Sequence, residues 1–248
     1  MIPSPIVKVL STIQKHGVKA LLMGGQACVF YGAAEFSRDA DLVILAAPGN
    51  LDRLRTALRE LNASQIFVPE LSEEVLRRGH AVHFRCAAPE ADRVRVDVMS
   101  VLRGVDDFDQ LWERRTTLSD DAGNQYDLLS LPDLVQAKKT QRDKDWPMIM
   151  RLIEANYVEN RATPSEEQVR FWFKEMRSPQ YLIELSLRFA SLAEEMARSR
   201  SLLRLAVAGE HDALEAALAS EQKTERVRDR IYWQPLRKEL EQLRWNRT

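Results

Sequence analysis

Three aspartates lie in short segments whose composition is typical of β-strands. Asp39 and Asp41 alternate at the start of an apolar run, and Asp97 lies within the strand-like stretch of residues 94–100. Side chains two residues apart on a strand point to the same face, so Asp39 and Asp41 can converge on one spot. Mg²⁺ prefers oxygen ligands, usually one or two carboxylates with phosphate oxygens and water. The three acids therefore suit a pair of divalent ions of the kind that promotes in-line displacement.

A pair of glycines precedes these acids in the sequence. The apolar run of residues 20–23 leads into Gly24 and Gly25, after which a helix is expected. Glycines at such a turn let backbone N–H groups approach an anion, and the helix N-terminus adds a favourable dipole. Together with the acids, the glycine pair indicates a nucleoside triphosphate as ligand, and phosphoryl or nucleotidyl transfer as chemistry.

Each of these features also has a purely structural explanation. A Gly-Gly pair before a helix is common in α/β proteins, and an Asp-x-Asp pair at a strand edge is often only solvated. Asp97 is different, because a carboxylate among valines is rarely buried unless it is paired. It needs a metal ion, a cationic partner, or water at a strand end.

The order of these residues resembles the nucleotidyltransferase superfamily typified by DNA polymerase beta. Its signature is a Gly-Gly or Gly-Ser pair, an Asp-x-Asp/Glu, and a distant third Asp on a neighbouring strand. Here residues 24–25, residues 39–41 and Asp97 match it in order. The resemblance covers about residues 15–155 and implies a mixed sheet flanked by helices.

Within that superfamily the chain is most similar to the bacterial AbiEii-like group of minimal and toxin-type enzymes. Those proteins commonly carry Gly-Gly-x-Ala followed by Arg-x-Ser/Thr-x-Asp-x-Asp. Residues 24–27 and 35–41 follow this pattern, and Ser37 fits it. Glu35 stands where an arginine is usual, and Gln26 replaces the serine often found in other branches.

A basic segment downstream extends the resemblance. Such proteins often show a lysine shortly before an Arg-x-Lys-Asp sequence, and residues 138–145 reproduce it. Lys138 is then expected to reach the triphosphate as a compact positive charge. The alternative is a solvated helix end, where cations are favoured.

The resemblance implies a mechanism as well as a fold. Asp39 and Asp41 would hold two Mg²⁺ (or Mn²⁺) ions on the triphosphate, while Asp97 would complete the ion nearest the attacking hydroxyl and help deprotonate that hydroxyl. A nucleoside monophosphate would move to an acceptor and pyrophosphate would leave. The expected nucleotide-binding residues are Gly24, Gly25, Gln26, Ser37 and Lys138.

The acceptor is left open by these residues. Acceptors of the wider group include RNA ends, protein hydroxyls and small molecules, and a toxin-like role is implied only by the group. Two other classes of function remain as alternatives. One is a catalytically silent module of the same fold that binds nucleotide or a partner. The other is a nucleic-acid-binding protein whose acids are structural.

Composition predicts an ordinary cytoplasmic protein. Lys and Arg number 36 against 37 Asp and Glu, so no global basic field favours nucleic acid. The only cysteines, Cys28 and Cys86, are expected to be buried free thiols. No apolar run approaches the roughly 20 residues that span a bilayer. The four histidines show no metal-binding arrangement, and His80 and His83 are assigned to opposite faces of a strand.

The fold class predicted is α+β: a nucleotidyltransferase-like domain over residues 1–158 and an all-helical region over residues 159–248. In the second half, Ser165 and Gln168 resemble a capping box, helices are expected to divide near Gly209, and a kink is expected at Pro235. The helical region is expected to contact the core, a partner protein or a second copy. Strands are predicted over residues 19–23, 41–46, 81–86 and 94–99, with an edge hairpin within 117–128. Helices are predicted over residues 6–15, 26–31, 51–61 (with Asn50 as N-cap), 73–78 and 106–115, and after residue 131.

Overall fold

The computed structural model describes residues 4–119 and 123–245. Its strands are β1 (Ala20–Met23), β2 (Asp39–Ile44), β3 (Ser64–Gln65), β4 (Val82–Arg85), β5 (Arg95–Met99), β6 (Thr116–Ser119) and β7 (Gln125–Leu128). Its helices are α1 (Ser4–Lys15), α2 (Gly24–Phe30), α3 (Pro48–Glu60), α4 (Glu73–Arg77), α5 (Phe108–Glu113), α6 (Leu131–Ala137), α7 (Asp145–Asn160), α8 (Glu166–Glu175), α9 (Pro179–Arg188), α10 (Ala190–Met196), α11 (Leu203–Ala208) and α12 (His211–Trp245).

The strands of the described residues form one mixed sheet in the order β3-β4-β5-β2-β1-β7-β6. The central pair β2–β5 is parallel, whereas β1–β2 and β4–β5 are antiparallel. The sheet, its flanking helices and the helical C-terminal region confirm the predicted α+β class. The predicted edge hairpin is β6–β7, and its residues 120–122 lie outside the described residues.

Apolar spacing explains how the helices pack beside the sheet. In α1, Ile6, Val9 and Ile13 recur at helical intervals and are buried. This helix contacts β2 and also α3, in which Leu51 and Leu54 are fully buried. These buried side chains pack α1 against both α3 and β2.

Asn50 corrects one prediction made from sequence. The helix α3 begins at Pro48 after an extended Ala47, so Asn50 lies inside the first turn and is not the N-cap. Its buried amide donates to the carbonyl oxygens of Lys19 and Leu45 at 3.0 and 2.9 Å, and its Oδ1 accepts from the Lys19 N–H at 2.8 Å. The side chain therefore ties α3 to the backbone at the ends of β1 and β2.

The chain divides into two compact units, and the sheet belongs to the first. That unit runs to Ala137 and resumes at Tyr232, and the second unit spans Lys138–Ile231. The predicted sequence boundary after residue 158 stays a prediction.

The second unit is helical throughout. The predicted capping box is present: Ser165 Oγ accepts from the Gln168 N–H, and Gln168 Oε1 accepts from the Ser165 N–H. Gly209 ends α11 in the left-handed conformation, as expected from its position. Phe189, with a non-helical ψ of 51°, separates α9 from α10. The helix α12 continues through Pro235.

An ion-pair network within this second unit joins two buried arginines to the half-buried Glu221. Glu221 accepts hydrogen bonds from Arg200 at 2.8 and 3.1 Å and from Arg177 at 3.0 Å. Burial raises the pKa of the Glu221 carboxyl, but the hydrogen bonds and charge of Arg200 outweigh burial, so the pKa is lowered overall. A lowered pKa means that the folded state favours the ionised carboxylate.

Both cysteines are buried free thiols, as predicted. Across residues 4–119 and 123–245, none of the helices combines the length and apolar character that crossing a membrane requires.

We expect Asn50→Ala to lower the free energy of unfolding by about 2–3 kcal/mol, because the backbone groups of Lys19 and Leu45 lose a buried partner. Urea unfolding measures the change. Gln14→Ala, which removes an exposed amide from α1, is the control and should change stability by less than about 0.5 kcal/mol. Equal effects of the two substitutions would contradict the role assigned to Asn50.

We expect Glu221→Gln to cost about 2–3 kcal/mol at neutral pH, since it leaves Arg177 and Arg200 without their carboxylate. Because the pKa is lowered on folding, the stabilisation is present above the unfolded pKa and is lost as pH falls through the folded one. The difference from wild type should therefore narrow below about pH 4. Unfolding at a series of pH values tests this. Glu215→Gln, an exposed change in α12, should show no such trend.

Candidate active site

The three predicted aspartates lie on one face of two neighbouring strands. In the parallel pairing of β2 with β5, Asp41 stands opposite Asp97, and Asp39 stands opposite Arg95. Ala40 and Val96, which point to the other face, are fully buried, whereas the aspartates are partly exposed. The alternation predicted for residues 94–99 is confirmed, with the valines on the buried face.

The glycine pair lies directly against this face. Gly24 begins α2 with φ of +68°, and a Cβ atom there would lie 1.9 Å from Asp41 Oδ2. A Cβ on Gly25 would lie 2.8 Å from Ser37 Oγ. Neither position has room for a side chain, so the backbone at the turn packs against the Asp41 carboxylate and Ser37. Ser37 Oγ in turn donates to the carbonyl oxygen of Asp39 at 3.4 Å.

Asp97 is held by two cationic or potentially cationic side chains. Its Oδ1 accepts from Arg95 Nε at 2.7 Å and lies 2.8 Å from His83 Nδ1. Burial raises the pKa of Asp97, but the hydrogen bonds and charges of His83 and Arg95 outweigh burial, so the pKa is lowered overall. Of the three environments that the sequence left open for this carboxylate, the structure shows the cationic partner.

His83 corrects the prediction that left all histidines out of the site. The strand β4 begins at Val82, so His80 precedes it and the opposite-face argument does not apply. His83 pairs directly with Asp97 in the antiparallel β4–β5 register. The sequence held a signal for this: if the predicted strands 81–86 and 94–99 pair as a hairpin with residue 86 opposite residue 94, residue 83 stands opposite residue 97.

Arg95 is the second residue that sequence reasoning missed. Its Nη2 lies 3.1 Å from His83 Nδ1, and its guanidinium carbon lies 6.0 Å from the ring centre of Phe67. Burial lowers the pKa of Arg95, but its hydrogen bond to Asp97 and the charges of Asp97, Asp39 and Asp41 outweigh burial, so the pKa is raised. One permanent positive charge therefore interacts with all three predicted carboxylates.

The donor set fits a divalent ion in part. Asp39 and Asp41 present carboxylate oxygens on one face, and these suit a hard cation that completes its shell with phosphate and water. Asp97 is engaged by Arg95 and His83. Within the described ranges, no group of three or more His, Cys, Asp or Glu side chains is arranged to hold a metal ion. The residues therefore fit one ion at Asp39 and Asp41 and do not fit a site built from all three acids.

Two predicted nucleotide-binding residues, Gln26 and Lys138, have buried side chains. The side chain of Gln26 is wholly buried, and its amide atoms have no hydrogen-bond partner. Lys138 follows α6, belongs to the second compact unit, and is buried with its Nζ 3.9 Å from Asp145 Oδ1. Contacts of either side chain with a nucleotide stay predictions.

Comparison with known proteins adds little to this geometry. No family model matches the chain, and no curated protein matches it. One solved structure that aligns with it is described as "Crystal structure of putative nucleotidyltransferase from H. pylori". The alignment has 12% identity, covers 89% of this chain and 93% of that chain, and has a TM-score of 0.42. At that TM-score the similarity carries no argument, so function is argued from the site.

We expect Gly24→Ala to destabilise the protein by about 3–5 kcal/mol, combining the left-handed backbone penalty with a clash against Asp41. Gly32→Ala is a matched control, because Gly32 has φ of +71° but open space around its Cβ position. That variant should lose only about 1–2 kcal/mol. Chemical unfolding of both variants measures the difference, and equal losses would show that the close approach to Asp41 is unimportant.

Proposed function

We propose that this protein is a metal-dependent nucleotidyltransferase that moves a nucleoside monophosphate from a nucleoside triphosphate to a hydroxyl acceptor. The observation that carries the proposal is the close packing of a side-chain-free turn at Gly24 against Asp41, on the sheet face that also carries Asp39 and Asp97. An acidic face beside exposed backbone suits a ligand that brings both phosphates and a cation.

Asp39 and Asp41 are proposed to hold the divalent ion, Mg²⁺ or Mn²⁺, through their carboxylate oxygens. When bound, such an ion neutralises charge on the triphosphate and favours departure of pyrophosphate. Gly24 and Gly25 are proposed to let the backbone approach the phosphates, since neither position has room for a side chain. In the transfer, the acceptor oxygen bonds to the α-phosphorus while the bond from that phosphorus to the pyrophosphate oxygen breaks.

Asp97 is proposed to orient the acceptor hydroxyl. Its carboxylate is fixed by His83 and Arg95, and the lowered pKa keeps it ionised and able to accept a hydrogen bond from the hydroxyl. The hydroxyl proton passes to solvent water as the new phosphorus–oxygen bond forms.

The acceptor class and the biological role rest on resemblance alone. RNA ends, protein hydroxyls and small molecules are all used within the superfamily that the motifs resemble. Membership of the AbiEii-like group and a toxin-like role are proposals of the same standing, supported by residues 24–27 and 35–41.

A second candidate is a catalytically silent nucleotide-binding module. The engagement of Asp97 by Arg95 and His83 favours it, because the negative charge of that carboxylate is already compensated in the structure. Nucleotide binding that survives Asp97→Asn, without pyrophosphate release by the wild-type protein, would support this candidate over the enzyme.

We expect the wild-type protein to transfer label from one α-³²P nucleoside triphosphate to cellular RNA or protein in Mg²⁺ or Mn²⁺. Asp39→Ala/Asp41→Ala should reduce transfer by about 10²-fold or more, because charge on the triphosphate is no longer compensated. Asp92→Ala/Asp212→Ala removes two exposed carboxylates and should transfer normally. Absence of both transfer and calorimetric nucleotide binding in the wild type would refute the proposed function.

A further inference from the structure

We infer that Arg95 and His83 withhold Asp97 from metal binding, so that the acidic face takes a single divalent ion at Asp39 and Asp41. This departs from the two-ion site expected from the sequence. It rests on the proposed function only in assuming that a divalent ion binds at Asp39 and Asp41.

Two side chains already contact the carboxylate of Asp97. Arg95 Nε and His83 Nδ1 both approach the same carboxylate oxygen, at 2.7 and 2.8 Å. The Asp97 side chain is only 16% exposed, so water competes weakly for these contacts. A metal ion that bound Asp97 through Oδ1 would have to displace one of these partners, and an ion that bound through the other carboxylate oxygen would lie beside both of them.

The sheet holds Arg95 and His83 beside Asp97. Arg95 and Asp97 are two residues apart on β5 and therefore share a face, and His83 stands opposite Asp97 on β4. The ring of Phe67 lies 5.8 Å from the His83 ring and 6.0 Å from the Arg95 guanidinium. The arrangement is thus set by strand register and aromatic packing.

The positive charge of Arg95 opposes a second divalent ion at Asp97. A guanidinium keeps its proton at any pH that a folded protein tolerates, so this cation cannot leave Asp97 by deprotonation. It also interacts with Asp39 and Asp41. A second divalent ion at Asp97 would lie beside this fixed positive charge and would be repelled by it.

The test is a titration with Mn²⁺ alone, in which electron paramagnetic resonance counts the free ion. The wild-type protein should bind one ion per chain, and Asp39→Ala/Asp41→Ala should abolish binding. Asp97→Asn should change Mn²⁺ affinity by no more than about threefold, because the neighbouring charge that is lost acts through partly solvated space and not through a metal–oxygen bond. Arg95→Gln should raise affinity about tenfold or add a second ion, since repulsion is removed and Asp97 is released.

The gain in Mn²⁺ affinity expected of Arg95→Gln must depend on Asp97. The double variant Arg95→Gln/Asp97→Asn should therefore bind Mn²⁺ with about the wild-type affinity. Arg85→Gln is the matched control: Arg85 is exposed and stands opposite Arg95 on the same face of β4. Removing its charge should raise affinity by at most about threefold. An equal gain in both variants would mean that only net charge matters and would overturn the inference.

Two further outcomes separate this inference from the proposed function. A loss of about tenfold or more in Asp97→Asn alone would make Asp97 a ligand of the wild-type site, overturning the inference and leaving the proposed metal site intact. The Asp97→Asn titration also shows whether Asp97 is a metal ligand if Arg95→Gln fails to fold. Binding that is absent throughout, or that survives Asp39→Ala/Asp41→Ala, would overturn both.

Discussion

The parallel register of β2 and β5 is the constraint on which the site depends. A slip of one residue would carry Asp97 to the apolar face and turn Val96 toward solvent, because side chains alternate along a strand. The buried valines therefore hold the carboxylates in place by holding the register. The same strand register therefore determines both the packing of the valines on one face and the arrangement of the acids on the other.

Patterns confined to a few neighbouring residues were predictable from the sequence. The alternation of residues 94–99 gave the correct faces, and the Ser165–Gln168 capping box was found where expected. Asp39 and Asp41 were assigned to one face correctly, although β2 begins two residues earlier than the predicted strand. In each case the signal and the contact that it predicts lie within one element, so no knowledge of distant pairing was needed.

Residues whose partners lie far along the chain were missed or misassigned. Asparagine is a common N-cap residue, but the partners of Asn50 include the backbone of Lys19. This contact depends on how β1 packs beside α3, which the local sequence does not show. His83 is placed against Asp97 only by the register in which β4 and β5 pair. Arg95, in contrast, lies two residues from Asp97 on β5, and its contact was missed although its signal is local. The resemblance implies a phosphate contact for Lys138; that contact stays a prediction, and the structure shows the side chain buried near Asp145.

A partly buried carboxylate needs a counter-charge, and the choice of counter-charge determines what the carboxylate can do. A metal ion would make the integrity of the acidic face depend on metal, whereas Arg95 supplies the charge within the same strand. Residues of the chain itself therefore compensate the charge of Asp97, which remains ionised and fixed in orientation. Holding a metal and remaining paired with Arg95 are competing roles for one carboxylate oxygen. The observed pairing thus supports the proposals that Asp97 orients a substrate hydroxyl and that a metal ion would be held by Asp39 and Asp41.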